Sequence, residues 1–436
     1  MGEDMKGGKV VVVVVREYEA ERDRLGVEEV ESRCEVGPTG KLSLHTNLLG
    51  DPLCRVRHSP AYLMLVAEMV AAADGGVDKE KREIVGMIRG CIKTVTCGKK
   101  LSNINAKLSN NNNDDNNHKC LLTTTPDEPL PLLTKLAYIL GLRVSPSHRR
   151  MGIGLKMVAK MEEWFAEKGA EYCYMATEND NRPSINLFTK KCGYSKFRTP
   201  RILVHPVFAH RVRISTRASI LQLGPADAEA LYRHRFSTVE FFPYDINTVL
   251  SNPLSLGTFL AVPSGSPTSL HWPGIAGFLA GPPESWAVLS VWNCKDAFTL
   301  EVRGASRVKK ALARATRVVD RAFPCLGLPS MPEVFRPFGL HFLYGLGGEG
   351  PDAVGYVRAL CGVAHNLARE RGCGVVATEV GSREPLRIGI PYWKRLSCAE
   401  DLWCIKRLGE EDSDASVGDW TKSSPGLSIF VDPRDV

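Results

Sequence analysis

The sequence predicts an α/β fold: a mixed sheet flanked by helices, followed by a second α/β unit of similar layout. Three observations predict it. Short apolar runs of strand length alternate with charged, helix-forming stretches along the 436 residues. The apolar run ending at Val144 passes through a turn directly into a helical pattern, the order of a strand–turn–helix unit. A later segment, Cys373–Glu379 (CGVVATE), parallels Tyr172–Glu178 (YCYMATE), each after a helix, as in an internal repeat.

Val10–Glu17 carries a valine run suited to a buried first strand, and Ala20–Cys34 is charged and helix-forming. Tyr62–Ala71 and Glu83–Thr96 read as further strands. Residues 98–129 then lose all apolar pattern around an Asn/Asp run and are expected to be a disordered insertion. Leu136–Val144 is a largely buried strand; Pro146 turns the chain, since the residue before a proline avoids helix. A helix from Leu155 to about Lys168 follows, with Leu155, Val158, Ala159 and Phe165 as its apolar stripe and Gly169 as its stop. Ala170–Ala176 is a short strand, Ser184–Lys191 a short helix, and Phe197–Val204 one more strand.

The second unit starts near Arg213. Ile214–Leu223, Leu256–Val262, Ile275–Leu279, Trp286–Trp292 and Leu340–Tyr344 read as strands, Asp227–His234 as a helix. A glycine loop at 345–350 precedes a helix over Val354–Arg371, and Trp403–Leu408 mirrors the strand after Gly193. The expected division is 8–210 and 211–410, with 411–436 a flexible tail.

Composition narrows the function classes. A net charge of +7 over so long a chain favours acidic ligands or surfaces, yet no aromatic–basic repeat offers a base-stacking platform, so no nucleic-acid motif is read. No apolar stretch is long enough to span a bilayer, and no membrane partner is expected. The N-terminus lacks a signal-peptide core, so the expected location is intracellular, nucleus or cytoplasm. The 13 cysteines show no Cys-x-x-Cys and no zinc spacing; free thiols and no metal are expected.

The chemistry concentrates at Arg149–Gly154. Gly152 and Gly154 remove side chains, Met151 to Lys156 open a helix whose first N–H groups lack partners, and Arg149 and Arg150 add charge-assisted contacts. A strand, a turn of free N–H groups and a helix N-terminus beside arginines suit a pyrophosphate. The nucleotide rivals fail on spacing: Met157 stands where a dinucleotide fingerprint needs its third glycine, and Leu155 where a P-loop needs lysine.

Arg149-x-x-Gly152-x-Gly154 resembles the acyl-CoA signature of the GNAT acetyltransferases. A second segment is similar to theirs too: Asn181, then Leu187-Phe188 for Leu-Tyr, then Gly193-Tyr194 for Gly-Phe, with the gap from Phe188 to Gly193 one residue longer than usual. Together with VVVVVREYEAERD near the N-terminus and the long C-terminal region, the match is closest to the plant hookless-type N-acetyltransferases. The resemblance implies an N-terminal GNAT fold followed by a degenerate GNAT-like unit. It implies acetyl-CoA as cosubstrate, held by Leu142, Val144, Arg149, Arg150, Met151, Gly152, Ile153, Gly154, Asn181 and Phe188. It further implies an amine acceptor, a histone-like protein lysine or a small molecule, and a role in plant growth controlled by ethylene and auxin.

The same family pattern is broken at its proton carriers. Tyr138 stands where many members have a glutamate, and Phe188 replaces the tyrosine that protonates the leaving thiolate. The candidates left for proton transfer are Glu178 as base, with Tyr138 and Tyr194; Glu83 is a weaker one. Read alone, Asn181 is a helix cap and Tyr194 a packed ring. The alternative function is a non-catalytic acyl-CoA-binding regulator or scaffold. The glycine loop of the second unit lacks arginines and carries Glu349, so no CoA is expected there.

Overall fold

The computed structural model describes residues 11–34, 42–71, 81–100, 131–398, 400–409 and 419–436. The expected insertion falls outside the described residues from position 101 onward.

In the first half, β1 (Val11–Glu17), α1 (Ala20–Arg33), β2 (Ser43–Asn47), β3 (Ala61–Ala71), β4 (Lys81–Lys100) and β5 (Pro131–Val144) lead to α2 (Ile153–Glu167). β6 (Tyr172–Glu178), the short α3 (Arg182–Asn186), β7 (Ser195–Arg198) and β8 (Arg201–Pro206) follow. The second half runs β9 (Ala218–Leu223), α4 (Pro225–Phe236), α5 (Ile246–Leu250), β10 (Ser255–Pro263), α6 (Pro267–Leu270), α7 (Gly274–Ala280) and β11 (Trp286–Asn293). It ends with β12 (Thr299–Arg303), α8 (Arg307–Ala322), β13 (Gly339–Glu349), α9 (Ala353–Glu370), β14 (Cys373–Val380) and β15 (Asp401–Arg407).

These strands form two large mixed sheets, in the orders β1-β3-β4-β5-β6-β15-β7 and β8-β14-β13-β11-β10-β9, and a small β12-β2 pair. Each half lends its last strand to the other. β8 pairs antiparallel with β14, while β15 inserts between β6 and β7. The single strand expected at Phe197–Val204 is therefore two strands in different sheets. The break falls at Thr199-Pro200; Pro200 has no N–H for a ladder, and its carbonyl accepts the N–H of Asp401 at 3.0 Å. The mirror strand expected near Trp403 forms, but in the opposite sheet from the one its sequence position implies.

The two sheets also share one core. Leu136, Tyr138, Tyr172 and Tyr174 of the first pack in a cluster with Leu260, Val288, Tyr344 and Val375 of the second. The expected flexible tail is corrected for residues 419–436. Trp420, Phe430 and Val431 are buried in that core. Nearby, Lys93 Nζ meets Asp432 at 3.1 Å and pairs with Asp435, and Arg434 reaches both Asp432 (2.7 Å) and Asp245 (2.6 Å). Apolar rings and a buried charge network hold this segment, which a composition reading takes for solvent-exposed chain.

Local differences follow the same logic. Ile275–Leu279 lies in α7 and is no strand; a short apolar run has no period that separates helix from buried strand. The buried stripe of α2 is Ile153, Met157, Val158, Met161 and Phe165, while Leu155 faces outward. α8 was not anticipated by the sequence reading at all.

Candidate functional site

β5 and β6 run parallel only from Leu136↔Tyr172 to Ile139↔Met175. Beyond that pair they part. Opposite the opening, β5 carries a bulge against β4, with Gly141 and Leu142 facing the single residue Ile88. The bulge bends β5 away, so its last residues, Leu142 and Val144 among them, lack a β6 neighbour. β6 continues with β15 instead.

The opening leads to the predicted anion cradle. Ser145 donates its N–H to Val85 at 2.8 Å, Pro146–His148 forms a 3-10 turn, and Gly152 caps α2. Gly152 has φ +77°, a left-handed conformation that strains any side chain, and no atom stands within 4 Å of where its Cβ would be. A Cβ on Gly154 would stand in ordinary contact with Leu187 at 3.4 Å. The ladder of α2 starts with Lys156 N–H on Gly152 C=O at 3.1 Å, which leaves the N–H groups of Ile153, Gly154 and Leu155 outside it. No capping side chain and no acidic residue occupy that first turn. Arg149 lies exposed with Nε 3.3 Å from the carbonyl of Val144, and Arg150 and Met151 are exposed beside it. Free donors, open space and positive charge converge, which fits a pyrophosphate.

The second segment folds around the same opening. Asn181 caps α3, accepting the N–H of Ser184 at 3.3 Å, so its exposed side chain is a helix cap. Leu187–Lys191 continues as a π-helical turn, with Cys192 N–H on Leu187 C=O at 3.1 Å. That turn absorbs the extra residue between Phe188 and Gly193. Phe188 is buried behind the cleft, edge-on to Tyr194 at 5.1 Å.

The proton-transfer candidates separate. Tyr194 is a core ring whose hydroxyl donates to Cys173 Sγ at 3.1 Å; burial pushes its pKa far up. A hydroxyl bonded inside the core in this way fits a packed ring better than a proton donor. Tyr138 stacks on Tyr174 at 4.4 Å in the last register pairs before the strands part, and burial raises its pKa as well. Glu178 ends β6 at the lip, half-buried, with its pKa raised by burial and by Asp180. A carboxylate shifted upward is the better base near neutral pH. Glu83 sits on β4 opposite Met69, before that strand begins to pair with β5.

The strand exchange adds groups that sequence reading missed. Asp401 on β15 lies across from Glu178, and burial raises its pKa to about 6. Glu379 is partly buried beyond it, accepts from Trp403 Nε1 at 3.0 Å, and its pKa is raised well above the ordinary value by burial and by Asp401. No spacing rule joins position 178 to 401; only the sheet register does. Among the described residues, no group of three His, Cys, Asp or Glu is placed to hold a metal ion.

The model of the acetyltransferase (GNAT) family matches residues 68–194. A protein of Arabidopsis thaliana named "Probable N-acetyltransferase HLS1" is 65% identical over 97% of this chain and 100% of its own length. "Acetyl transferase GW6a" of Oryza sativa subsp. japonica is 38% identical, covering 98% of each chain. Among solved structures, a GCN5-related glucosamine N-acetyltransferase region of a fungal GH3 β-N-acetylglucosaminidase matches at 12% identity and TM-score 0.47, over 93% of this chain and 39% of that one. Signature turn, parted strands and near full-length relatives together place this chain in the GNAT acetyltransferase family, in its hookless-type branch.

Proposed function

We propose that this protein transfers an acetyl group from acetyl-CoA to an amine, in a complex holding both substrates. The observation that carries this reading is the parting of β5 and β6 beside a helix N-terminus with free donors, open space and two arginines. In it, Arg149, Arg150 and the N–H groups from Met151 to Gly154 hold the pyrophosphate, and the pantetheine arm lies along Leu142 and Val144. Backbone N–H groups of β5 near Leu142 to Val144 meet the thioester oxygen as it gains charge. Glu178 takes the amine proton, directly or through a water. Phe188 has no proton to give and Tyr194 shares its own with Cys173, so water protonates the departing thiolate. The acceptor we propose is a protein lysine of histone type or a small amine. The setting we propose is hormone-controlled plant growth, in nucleus or cytoplasm, as the hookless-type resemblance of the sequence implies.

The test is thermal stabilisation by acetyl-CoA, followed by thiol release with histone-tail peptides and simple amines. At a hundred times its dissociation constant the ligand adds about 2.7 kcal/mol. Arg149→Glu combined with Gly152→Asp removes that gain. No shift in wild type overturns the reading. A shift with no thiol release favours a second one, a CoA-binding regulator, for which Phe188 at the tyrosine position is the specific observation.

A further inference from the structure

α8, sixteen residues long, is tied to the second half from one side only. Its buried Asp320 accepts from the N–H of Ala209 at 2.7 Å and pairs with His210 at 2.6 Å. Arg317 bonds the carbonyl of Val207 at 2.5 Å. The opposite face carries Val308, Leu312, Ala315 and Val319 at helical spacing, and it points outward: Val308 is 76% exposed and Leu312 64%. The turn after the helix extends this surface through Phe323 (55% exposed), Leu326 and Leu328. Arg307, Lys310, Arg314 and Arg321 run in a row along one flank of the stripe. Asp320, the one acidic residue of the helix, is buried and paired. Beside the row, Lys310, Arg314 and Arg336 line a recess of about 220 Å³ floored by Phe335, with Glu333 near Arg336 at 3.8 Å.

We propose that α8 and its following turn dock this protein on an anionic membrane surface. The stripe lies along a single helix and runs about 24 Å. A flat, deformable apolar layer accepts such a stripe, while the basic row stands at the level of lipid phosphates. The recess offers a headgroup-sized space between cations. Among the described residues no helix is long and apolar enough to cross a membrane, but an interfacial helix needs an apolar face and not a bilayer's length of apolar chain.

The full chain is tested by co-sedimentation with vesicles of phosphatidylcholine alone and of phosphatidylcholine with phosphatidylserine. Cys325, exposed within the turn, takes an environment-sensitive fluorophore as a second readout. Binding to the anionic vesicles, falling with salt and accompanied by a blue shift at Cys325, is expected. Leu312→Glu with Phe323→Ser should lower partitioning at least tenfold, and Lys310→Glu with Arg314→Glu by more than that, since each surface cation counts for about fivefold. Leu312, Arg314 and Phe323 are exposed and Lys310 is partly so, and retained acetyl-CoA stabilisation and circular dichroism verify folding. No binding to anionic vesicles at low salt overturns the proposal. So does duplex DNA or polyglutamate binding as tightly as vesicles with no loss in the Leu312→Glu variant, or a dimer in solution that Leu312→Glu splits, which would make a second copy the occupant.

Discussion

The two halves of this chain place the same local order, strand, turn, helix, strand, in the same relation to a sheet, yet only one presents an anion cradle. β13 and β14 pair in parallel from Gly339↔Cys373 to Leu343↔Thr378, as β5 and β6 do. After β5 the turn is open, and no atom stands near the absent Cβ of Gly152. At the end of β13, where a glycine loop is expected, the strand continues to Glu349 and the glycines serve packing. A Cβ on Gly348 would strike the carbonyl of Trp286 at 2.6 Å, and one on Gly350 that of Glu284 at 2.0 Å. Glu349 and the N-cap Asp352 then bring negative charge to the start of α9, where α2 has arginines before it and no acid. Glycine in a turn is thus ambiguous by itself. It marks a ligand site where the space it frees stays empty and the charge around it is right.

Glu178 and Glu379 hold equivalent places in the two halves, and this pair gives the largest expected effect. Glu178→Gln should lower turnover by about 10²- to 10⁴-fold. Glu379→Gln, at a partly buried carboxylate held by Trp403, should leave most of it; steady-state kinetics on the two variants decides which carboxylate acts. Equal losses would mean the carboxylates work as one unit.

The tail gives the next effect, because it clamps the halves together. Asp432→Ala leaves Lys93 and Arg434 buried with a lost partner and should cost about 3–5 kcal/mol in denaturant unfolding. A change below about 0.5 kcal/mol would show that the tail is not part of the cooperative unit.

A smaller, pH-dependent effect is expected at Asp401. Its folded pKa of about 6 exceeds the ordinary 3.8, so the folded protein binds the extra proton. The group's stabilising contribution is complete below about pH 4 and is lost as pH rises through about 6. Asp401→Asn should flatten the stability profile across that window and gain on the order of 1–3 kcal/mol at pH 7. Thermal melts at a series of pH values measure it, and an unchanged slope refutes the assignment.

Tyr194→Phe should be mildest. It removes one hydroxyl bonded to Cys173 inside the core, at about 1 kcal/mol, with turnover unchanged. A large fall in turnover would return that hydroxyl to the cleft.

Much of the site was legible because it is local. The turn from Val144 to Gly154 needs proline, glycine, arginine and a helix start in fixed order, and these are neighbours in the chain. The π turn at Leu187–Lys191 was announced by one surplus residue. What depends on contacts between distant positions was not legible. Apolar period did not separate α7 from a strand, and polar residues after 411 concealed Trp420 and Phe430, whose burial depends on partners in both sheets. The sequence by itself determined a strand–turn–helix that carries Arg149, Gly152 and Gly154 in GNAT-like order, the elements around it, and that Tyr138 and Phe188 stand where the family's usual proton carriers would be. Only the tertiary structure decided that β8 and β15 change sheets, that Asp401 and Glu379 thereby stand behind Glu178, and that the second glycine turn is filled. The physical reason is that backbone conformation and helix caps are set within a few residues, while strand partners, burial and the shift of a carboxylate are set by what the rest of the chain brings alongside.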